Sequence, residues 1–161
     1  MKIDATIQAR MGSTRLPGKV LMPIVEKPML ALQIERIQQC KLIDRIIIST
    51  SNNPQDDAIE ELANELGVEC FRGSENDVLS RIIDTLKFYN TEIHVEFMGD
   101  NPIPDPLLVD SIIGYYLKNY GKYDYVTNAL KTTYPPGVEV FVYHSKILYD
   151  AETFDIKFFV L

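Results

Sequence analysis

The chain alternates short apolar runs with longer segments in which apolar residues recur at helical spacing. The short runs are rich in β-branched and aromatic residues and predict strands over residues 3–9, 45–50, 68–71 and 93–98. Between them apolar residues repeat every three or four positions, as Leu30, Ile34 and Ile37 do, which predicts helices that pack one face on a sheet. This alternation indicates a layered α/β fold with a mostly parallel sheet.

Turn and capping residues agree with these segments. Asn53 and Asp105 each precede a proline, so a capping side chain stands before a residue suited to the first turn of a helix. Gly67 follows the second helical segment at the position where that helix would end. After residue 120 the pattern weakens, and it predicts two strands and the start of a helix over residues 123–127, 138–143 and 145–151.

Length and composition predict one domain over residues 1–161, because 161 residues with 46% hydrophobic side chains are enough for a single core. The last eight residues, 154–161, are mostly apolar, and we expect them to be a truncated end or a segment covered by a partner. No apolar run reaches the roughly 20 residues that cross a bilayer, and the N-terminus lacks the build of a signal peptide. A cytoplasmic protein without membrane contact is therefore predicted.

The charge distribution favours a small anionic ligand. The net charge of -7 argues against general nucleic-acid binding, which requires clustered lysine and arginine. Residues 1–27, however, hold five basic and two acidic side chains, which leaves a cationic segment in an otherwise acidic chain. Cys40 and Cys70 show no metal-binding spacing, and the two histidines, His94 and His144, lie in apolar or aromatic surroundings, so we expect structural roles for all four.

Ligands of parallel α/β sheets bind where strands end, which directs attention to the loops 10–19, 72–77 and 99–106. The first loop combines three cations with two glycines and two hydroxyls, a composition suited to a triphosphate. Its residues with a direct role in such a cradle are Arg10, Gly12, Ser13, Thr14, Arg15, Gly18 and Lys19. It matches neither the P-loop nor the dinucleotide glycine motif, and a solvated surface loop remains the alternative.

The segment Ile7-Gln-Ala-Arg-Met-Gly-Ser-Thr-Arg-Leu-Pro-Gly-Lys-Val-Leu21 resembles the N-terminal signature of the cytidylyltransferase family. That family includes the spore coat polysaccharide biosynthesis protein F group and is similar to the acylneuraminate and 3-deoxy-manno-octulosonate cytidylyltransferases. The resemblance implies a three-layer α/β/α, Rossmann-like fold of the nucleotide-diphospho-sugar transferase type. It also implies that the loop binds a nucleotide through Ala9, Arg10, Met11, Gly12, Ser13, Arg15 and Lys19, with Arg10 and Lys19 on the phosphates.

The resemblance continues through residues 71–79, 98–105, 123–128 and 134–140. It implies that Asp100, in the Gly-Asp-x-Pro loop, binds Mg²⁺ and joins Arg10 and Lys19 in catalysis, although an ordinary turn aspartate is the alternative. The resemblance also places Arg72 and Ser74 near the base and ribose.

Two further segments allow more than one interpretation. The spacing Ser74-x-x-Asp77 would equally suit a helix cap, and Arg81, one turn onward, is read as a solvated side chain. Glu139 stands where the family usually has an aspartate at the border of the sugar pocket, which makes it the candidate for substrate binding.

The resemblance implies transfer of CMP from CTP to an acidic sugar with release of pyrophosphate, and it implies a homodimer. Family members continue beyond 161 residues with a second acidic segment and a dimerising hairpin, and neither is visible here. A truncated nucleotide-binding domain without turnover therefore stands as the alternative function. A hexose-1-phosphate nucleotidyltransferase of similar fold is the third, less favoured because the glycine-rich start of those enzymes is missing.

Overall fold

A computed structural model describes residues 1–131 and 133–153 of the chain. The apolar end predicted to be truncated or covered, residues 154–161, lies outside the described residues. Among the described residues, no helix has both the length and the apolar character that a membrane crossing requires.

Eight strands and five helices alternate along the chain, with one turn of 3-10 helix at Lys19–Leu21 and another at Pro54–Asp56. The strands are β1 Ile3–Gln8, β2 Pro23–Ile24, β3 Lys27–Pro28, β4 Arg45–Ser51, β5 Glu69–Gly73, β6 Ile93–Met98, β7 Tyr125–Thr127 and β8 Phe141–His144. The helices are α1 Met29–Ile37, α2 Asp57–Leu66, α3 Val78–Tyr89, α4 Pro106–Lys118 and α5 Lys146–Thr153.

The main sheet has six strands in the order β5-β4-β1-β6-β8-β7. Strands β5, β4, β1 and β6 pair in parallel, whereas β8 is antiparallel to both of its neighbours. The strand order reverses at β1, since β4 lies on one side of it and β6 on the other. In open α/β sheets the crevice at such a point, beyond the carboxyl ends of the strands, is where ligands bind.

The two faces of the sheet differ in chemistry. On one face Ile3, Ala5 and Ile7 of β1 join a single apolar cluster with buried residues of α1, α2 and α4. On the other face α3 packs against β4 and β5 and contacts α5. The predicted α/β/α layering and mostly parallel sheet are therefore confirmed.

The face covered by α3 carries a row of buried polar side chains on β1 and β6. Thr6 and His94 share a hydrogen bond of 2.7 Å between Oγ1 and Nε2, and both side chains are fully buried. Burial lowers the pKa of His94 to about 3. Next along β6, Glu96 accepts hydrogen bonds from Gln8 and from the hydroxyl of Tyr143, and burial raises the pKa of its carboxyl.

The depressed pKa of His94 predicts a loss of stability in acid. The unfolded chain takes up this proton near pH 6.5, whereas the folded chain resists it down to about pH 3. As pH falls through that window, the free energy of unfolding should drop by up to about 1.4 kcal/mol per pH unit. Urea unfolding of the wild type and of His94→Gln at pH 7, 5.5 and 4.5 measures this.

The variant should lose much of the pH dependence between pH 6.5 and 4.5. Glu96 titrates in the opposite sense, because its raised pKa favours the folded state as pH falls, but it is present in both proteins and cancels in the comparison. Parallel stability curves for the two proteins would show that His94 does not control the acid response.

The predicted caps form, except that Asn53 caps a 3-10 turn and not the α-helix itself. Asp105 accepts a hydrogen bond from the amide of Leu108 at 2.9 Å, and Gly67 ends α2 in the left-handed conformation. Asn53 caps the 3-10 turn at Pro54–Asp56, and α2 follows directly after it. Asp77 caps α3 by accepting from the amide of Ser80.

Candidate functional site

A cavity of about 350 Å³ opens beyond the carboxyl ends of β1 and β6. It is lined by the end of β1, by residues of the loop 10–19, by the end of β6 and by the first turn of α3. The lining residues are Gln8, Ala9, Arg10, Ser13, Thr14, Arg15, Lys19, Val20, Val78, Arg81, Met98, Gly99 and Asp100. The cavity therefore lies at the point of strand-order reversal, where the topology predicts a ligand.

A buried carboxylate anchors the loop 10–19 to the scaffold. Asp56 is fully buried and accepts the amide of Met11 at 2.7 Å, as well as the amide and hydroxyl of Ser51 at the end of β4. The carbonyl of Met11 in turn accepts the amides of Ser13 and Gly18, at 2.8 and 2.9 Å. Gly18 has φ of 72°, a left-handed conformation that a glycine adopts without strain. These bonds fix the conformation of the loop, five of whose residues line the cavity.

The three cations of the loop all line the cavity, but they differ in their contacts with the protein. Arg10 donates to the carbonyl of Glu75 at 3.3 Å. Lys19 forms an ion pair with Asp100, with 2.6 Å between Nζ and Oδ2. Arg15 is exposed and forms no ion pair with any of the described residues. The loop thus presents two guanidinium groups and one ammonium group to the same space.

Gly99 brings Asp100 to the cavity. The Gly99 amide donates to the Gln8 carbonyl at 2.9 Å, which joins the ends of β6 and β1. A Cβ atom at this position would lie 2.5 Å from the same carbonyl oxygen, so only glycine permits the contact. Asp100, the next residue, is therefore held at a defined distance from the loop that carries Lys19.

The remaining candidates from the sequence lie outside the lining of the cavity. Arg72 donates to Asp57 at 2.6 Å and to Glu60 at 2.9 Å, which ties β5 to α2. Ser74 accepts the amide of Asp77 at 3.0 Å, and this supports the turn that precedes α3. The observed contacts of this segment are therefore those of a helix cap, which was the alternative interpretation of the sequence.

Glu139 lies close to the Asp100 loop without reaching the cavity. Its Oε2 accepts the Gly137 amide at 2.8 Å and the side-chain amide of Asn101 at 3.4 Å. Asn101 directly follows Asp100, so Glu139 borders the site on the side of β8. This position is compatible with a group bound next to the cavity.

The structure adds Arg81, which the sequence reading treated as solvated. Its side chain is 2% exposed and lines the cavity. Burial and the nearby charge of Arg10 lower the pKa of its guanidinium. Its position in the sequence could have indicated this burial. Arg81 lies at helical spacing from Val78 and Thr85, on the face of α3 that packs inward, where a charged residue is unusual.

Asp100 is the carboxylate that the arrangement offers to a cation. Among residues 1–131 and 133–153, no group of three or more histidine, cysteine or acidic side chains is placed to hold a metal ion. A single carboxylate in a cavity lined by several cations nevertheless suits Mg²⁺, which keeps several waters and commonly shares its coordination with the phosphates of a bound ligand. The donor set therefore fits a metal that arrives with a nucleotide.

Comparison with known proteins agrees with this geometry. A family model described as cytidylyltransferase matches residues 5–149. The spore coat polysaccharide biosynthesis protein SpsF of Bacillus subtilis is 38% identical over 127 residues, which cover 76% of this chain and 53% of that protein. The 8-amino-3,8-dideoxy-manno-octulosonate cytidylyltransferase of Shewanella frigidimarina is 30% identical over 128 residues, 79% of this chain and 52% of that protein.

Among solved structures, a cytidylyltransferase from Leptospira borgpetersenii serovar Hardjo-bovis superimposes with a TM-score of 0.93 at 35% identity, over 97% of this chain and 66% of that one. The chain spans about half the length of the two curated relatives. The match of the family model over most of the sequence, together with these similarities, shows that the chain belongs to the cytidylyltransferase family.

Proposed function

We propose that this chain binds CTP and transfers CMP to an acidic sugar, with release of pyrophosphate. The observation that supports the proposal is that Arg10, Arg15 and Lys19 line one cavity together with Asp100, which forms an ion pair with Lys19. A triphosphate needs several cations at once, and guanidinium groups engage its oxygens in a forked geometry that a lysine ammonium complements.

The reaction requires little covalent work from the protein. A hydroxyl of the sugar attacks the α-phosphorus of CTP, a new oxygen–phosphorus bond forms, the bond to the β-phosphate breaks, and the hydroxyl proton passes to solvent. Arg10, Arg15 and Lys19 hold the triphosphate and compensate the charge that develops on the departing pyrophosphate. The hydroxyl of Ser13 and the loop amides supply further hydrogen bonds.

Asp100 is the residue that would hold Mg²⁺. The bound ion would offset negative charge on the phosphates. The chain's own contribution is to keep this carboxylate in place, which the Gly99 contact with Gln8 does.

An acidic sugar as acceptor is supported by the Shewanella frigidimarina relative, which is an 8-amino-3,8-dideoxy-manno-octulosonate cytidylyltransferase. Glu139 and Asn101 border the cavity on the β8 side, where an acceptor would approach the α-phosphate. We assign sugar contacts to Glu139 on this basis. The role predicted for Arg72 and Ser74 near the base has less support, since their side chains bond to Asp57, Glu60 and the Asp77 amide.

The test is pyrophosphate release from CTP and Mg²⁺ in the presence of a panel of acidic sugars. We expect release with at least one sugar, and competition in the order CTP ahead of UTP, GTP and dTTP. CTP binding without release from any sugar would leave a nucleotide-binding domain without turnover. A clear preference for UTP or dTTP would instead indicate a hexose-1-phosphate nucleotidyltransferase and contradict the choice of CTP.

A further inference from the structure

Arg81 has more hydrogen-bond donors than the surrounding protein uses. Its Nη1 donates to the carbonyl of Ser74 at 2.8 Å. Its buried Nε has no acceptor among the described residues. A guanidinium carries five N–H donors and cannot lose its charge in a protein, so burial without partners is unfavourable. Such a group, placed in the wall of a cavity, indicates a ligand that supplies acceptors.

The carboxylates around Arg81 are bonded to other groups. Asp56 accepts from the amide of Met11 and from Ser51, and Glu75 accepts from the side-chain amide of Asn53. Both act on Arg81 only through their charge.

Two other arginines of the chain show the contrast. Arg45 donates to Asp4 at 2.6 Å, and Arg72 donates to Asp57 at the same distance. Each is held by a direct ion pair, and neither lines the cavity. Arg81, which does line it, has no direct carboxylate partner within the described part of the chain. Its charge is therefore available to a bound molecule.

The Arg81 stem is fixed in position. A Cβ atom on Gly73 would lie 2.9 Å from Cγ of Arg81, so the absence of a side chain at the end of β5 makes the space for it. Asp77 caps α3 one turn earlier and fixes where the helix begins. A side chain held in this way loses little conformational freedom when it binds a ligand, which is how binding sites are pre-organised.

We propose that Arg81 is a nucleotide-binding residue that donates hydrogen bonds to an acceptor oxygen of the bound nucleotide. This inference rests on the proposed function, since it requires that a nucleotide occupies the cavity. The oxygen belongs to a phosphate or to the pyrimidine carbonyl, and a guanidinium serves both in the same way. Arg81 would then add, from α3, a further cation to those that the loop 10–19 supplies to the same cavity.

The experiment measures dissociation constants by calorimetry for the wild type, Arg81→Met and Arg81→Lys with CTP, cytidine and inorganic triphosphate. Methionine keeps most of the packed stem but removes the charge and the donors. We expect Arg81→Met to weaken CTP binding by about ten- to a hundredfold, the range for loss of a charge-assisted hydrogen bond. Arg81→Lys should lose less, because it keeps the charge without the fork.

The other two ligands identify the oxygen. If Arg81→Met weakens the binding of inorganic triphosphate as it weakens that of CTP, and leaves cytidine binding unchanged, Arg81 binds a phosphate. If the variant weakens cytidine binding and leaves triphosphate binding unchanged, Arg81 binds the base. Each of these results supports the inference.

Two variants separate ligand binding from damage to α3. Thr85→Val removes two buried hydrogen bonds of the Thr85 hydroxyl, one with Ser49 and one to the backbone carbonyl of Arg81. It therefore disturbs the packing of α3 beside Arg81 without changing the guanidinium or the cavity lining, and it should leave CTP affinity unchanged. Gly73→Ala displaces the Arg81 stem and should reproduce part of the loss while Arg81 is still present. If Arg81→Met does not fold, Gly73→Ala and Arg81→Lys carry the test, and wild-type affinity in both would overturn the inference.

Three results would contradict it. Wild-type CTP affinity in a folded Arg81→Met protein would overturn the inference and leave the proposed function intact. An equal loss in Thr85→Val would trace the effect to helix packing and would also overturn it. A wild-type protein that binds neither CTP nor any other nucleotide would overturn the proposed function together with this inference.

Discussion

Replacing Asp100 with asparagine should reduce the rate of pyrophosphate release by at least about a hundredfold and abolish its dependence on Mg²⁺. Asparagine has nearly the shape of aspartate but no charge, so it cannot hold a divalent cation beside phosphates. Charge stabilisation of this kind accounts for several kcal/mol in metal-assisted reactions. The measurements are the rate as a function of Mg²⁺ concentration, and CTP affinity by calorimetry with and without the ion.

A control variant in the same loop tests whether the effect depends on the position of the lost carboxylate and not only on the loss of one negative charge. Asp105→Asn also removes one carboxylate, but Asp105 caps α4 and asparagine caps helices equally well. Stability and activity should therefore stay close to wild type. A Mg²⁺ titration of Asp100→Asn that matches the wild-type titration would remove Asp100 from the metal site.

Replacing Lys19 with alanine should weaken CTP binding by about a hundredfold, or on the order of 3 kcal/mol. Lys19 is the only lysine among the residues described as lining the cavity, and its ammonium lies at the edge that Asp100 shares. Loss of the ion pair itself should change stability little. Its two side chains are 26% and 45% exposed, and exposed ion pairs contribute at most about 1 kcal/mol. Calorimetry with CTP gives the affinity, and urea unfolding gives the stability.

Lys27→Ala is the matched control, because Lys27 forms a comparable exposed ion pair with Glu35 at 2.7 Å, away from the cavity lining. It should bind CTP as the wild type does. If Lys19→Ala and Lys27→Ala have the same affinity, the assignment of Lys19 to a phosphate is wrong.

The main elements of the fold could be predicted because apolar periodicity marked them, and in α2, α3 and α4 a capping or terminating residue agreed with the periodicity. Where this agreement was missing, the boundaries shifted. The strand predicted over residues 138–143 begins at Phe141, because the backbone at Val138 and Val140 bonds to the side chain of Asn128 instead of a neighbouring strand. A side-chain contact between distant segments leaves no periodic pattern in the sequence.

The small hairpin formed by β2 and β3 was not predicted, for a local reason. Its turn residues, Val25 and Glu26, have φ of 47° and 71°, a conformation that usually requires glycine or asparagine. Neither residue type is present, so the usual signal for a tight hairpin is missing. The surrounding structure must therefore stabilise a turn whose backbone conformation is unfavourable for valine and glutamate.

The site shows the same division between local and distant information. Arg10, Arg15, Lys19 and Asp100 all line the cavity, and the sequence indicated them because they lie in loops that follow predicted strands. The burial of Arg81 depends on the space left by Gly73 on a different element, and the support of Met11 by Asp56 joins residues 45 positions apart. Sequence patterns report which residues follow a strand, but not which side chains from other elements meet them.

The ion pair between Lys19 and Asp100 has a thermodynamic consequence for the proposed reaction. Each member is assigned to a different ligand, and each must release the other to bind it fully. A metal ion alone would face the ammonium of Lys19, and a triphosphate alone would face the carboxylate of Asp100. Together the two ligands satisfy both groups, so each should increase affinity for the other by the same factor, as linkage requires. Metal and nucleotide would then enter the site as a positively coupled pair.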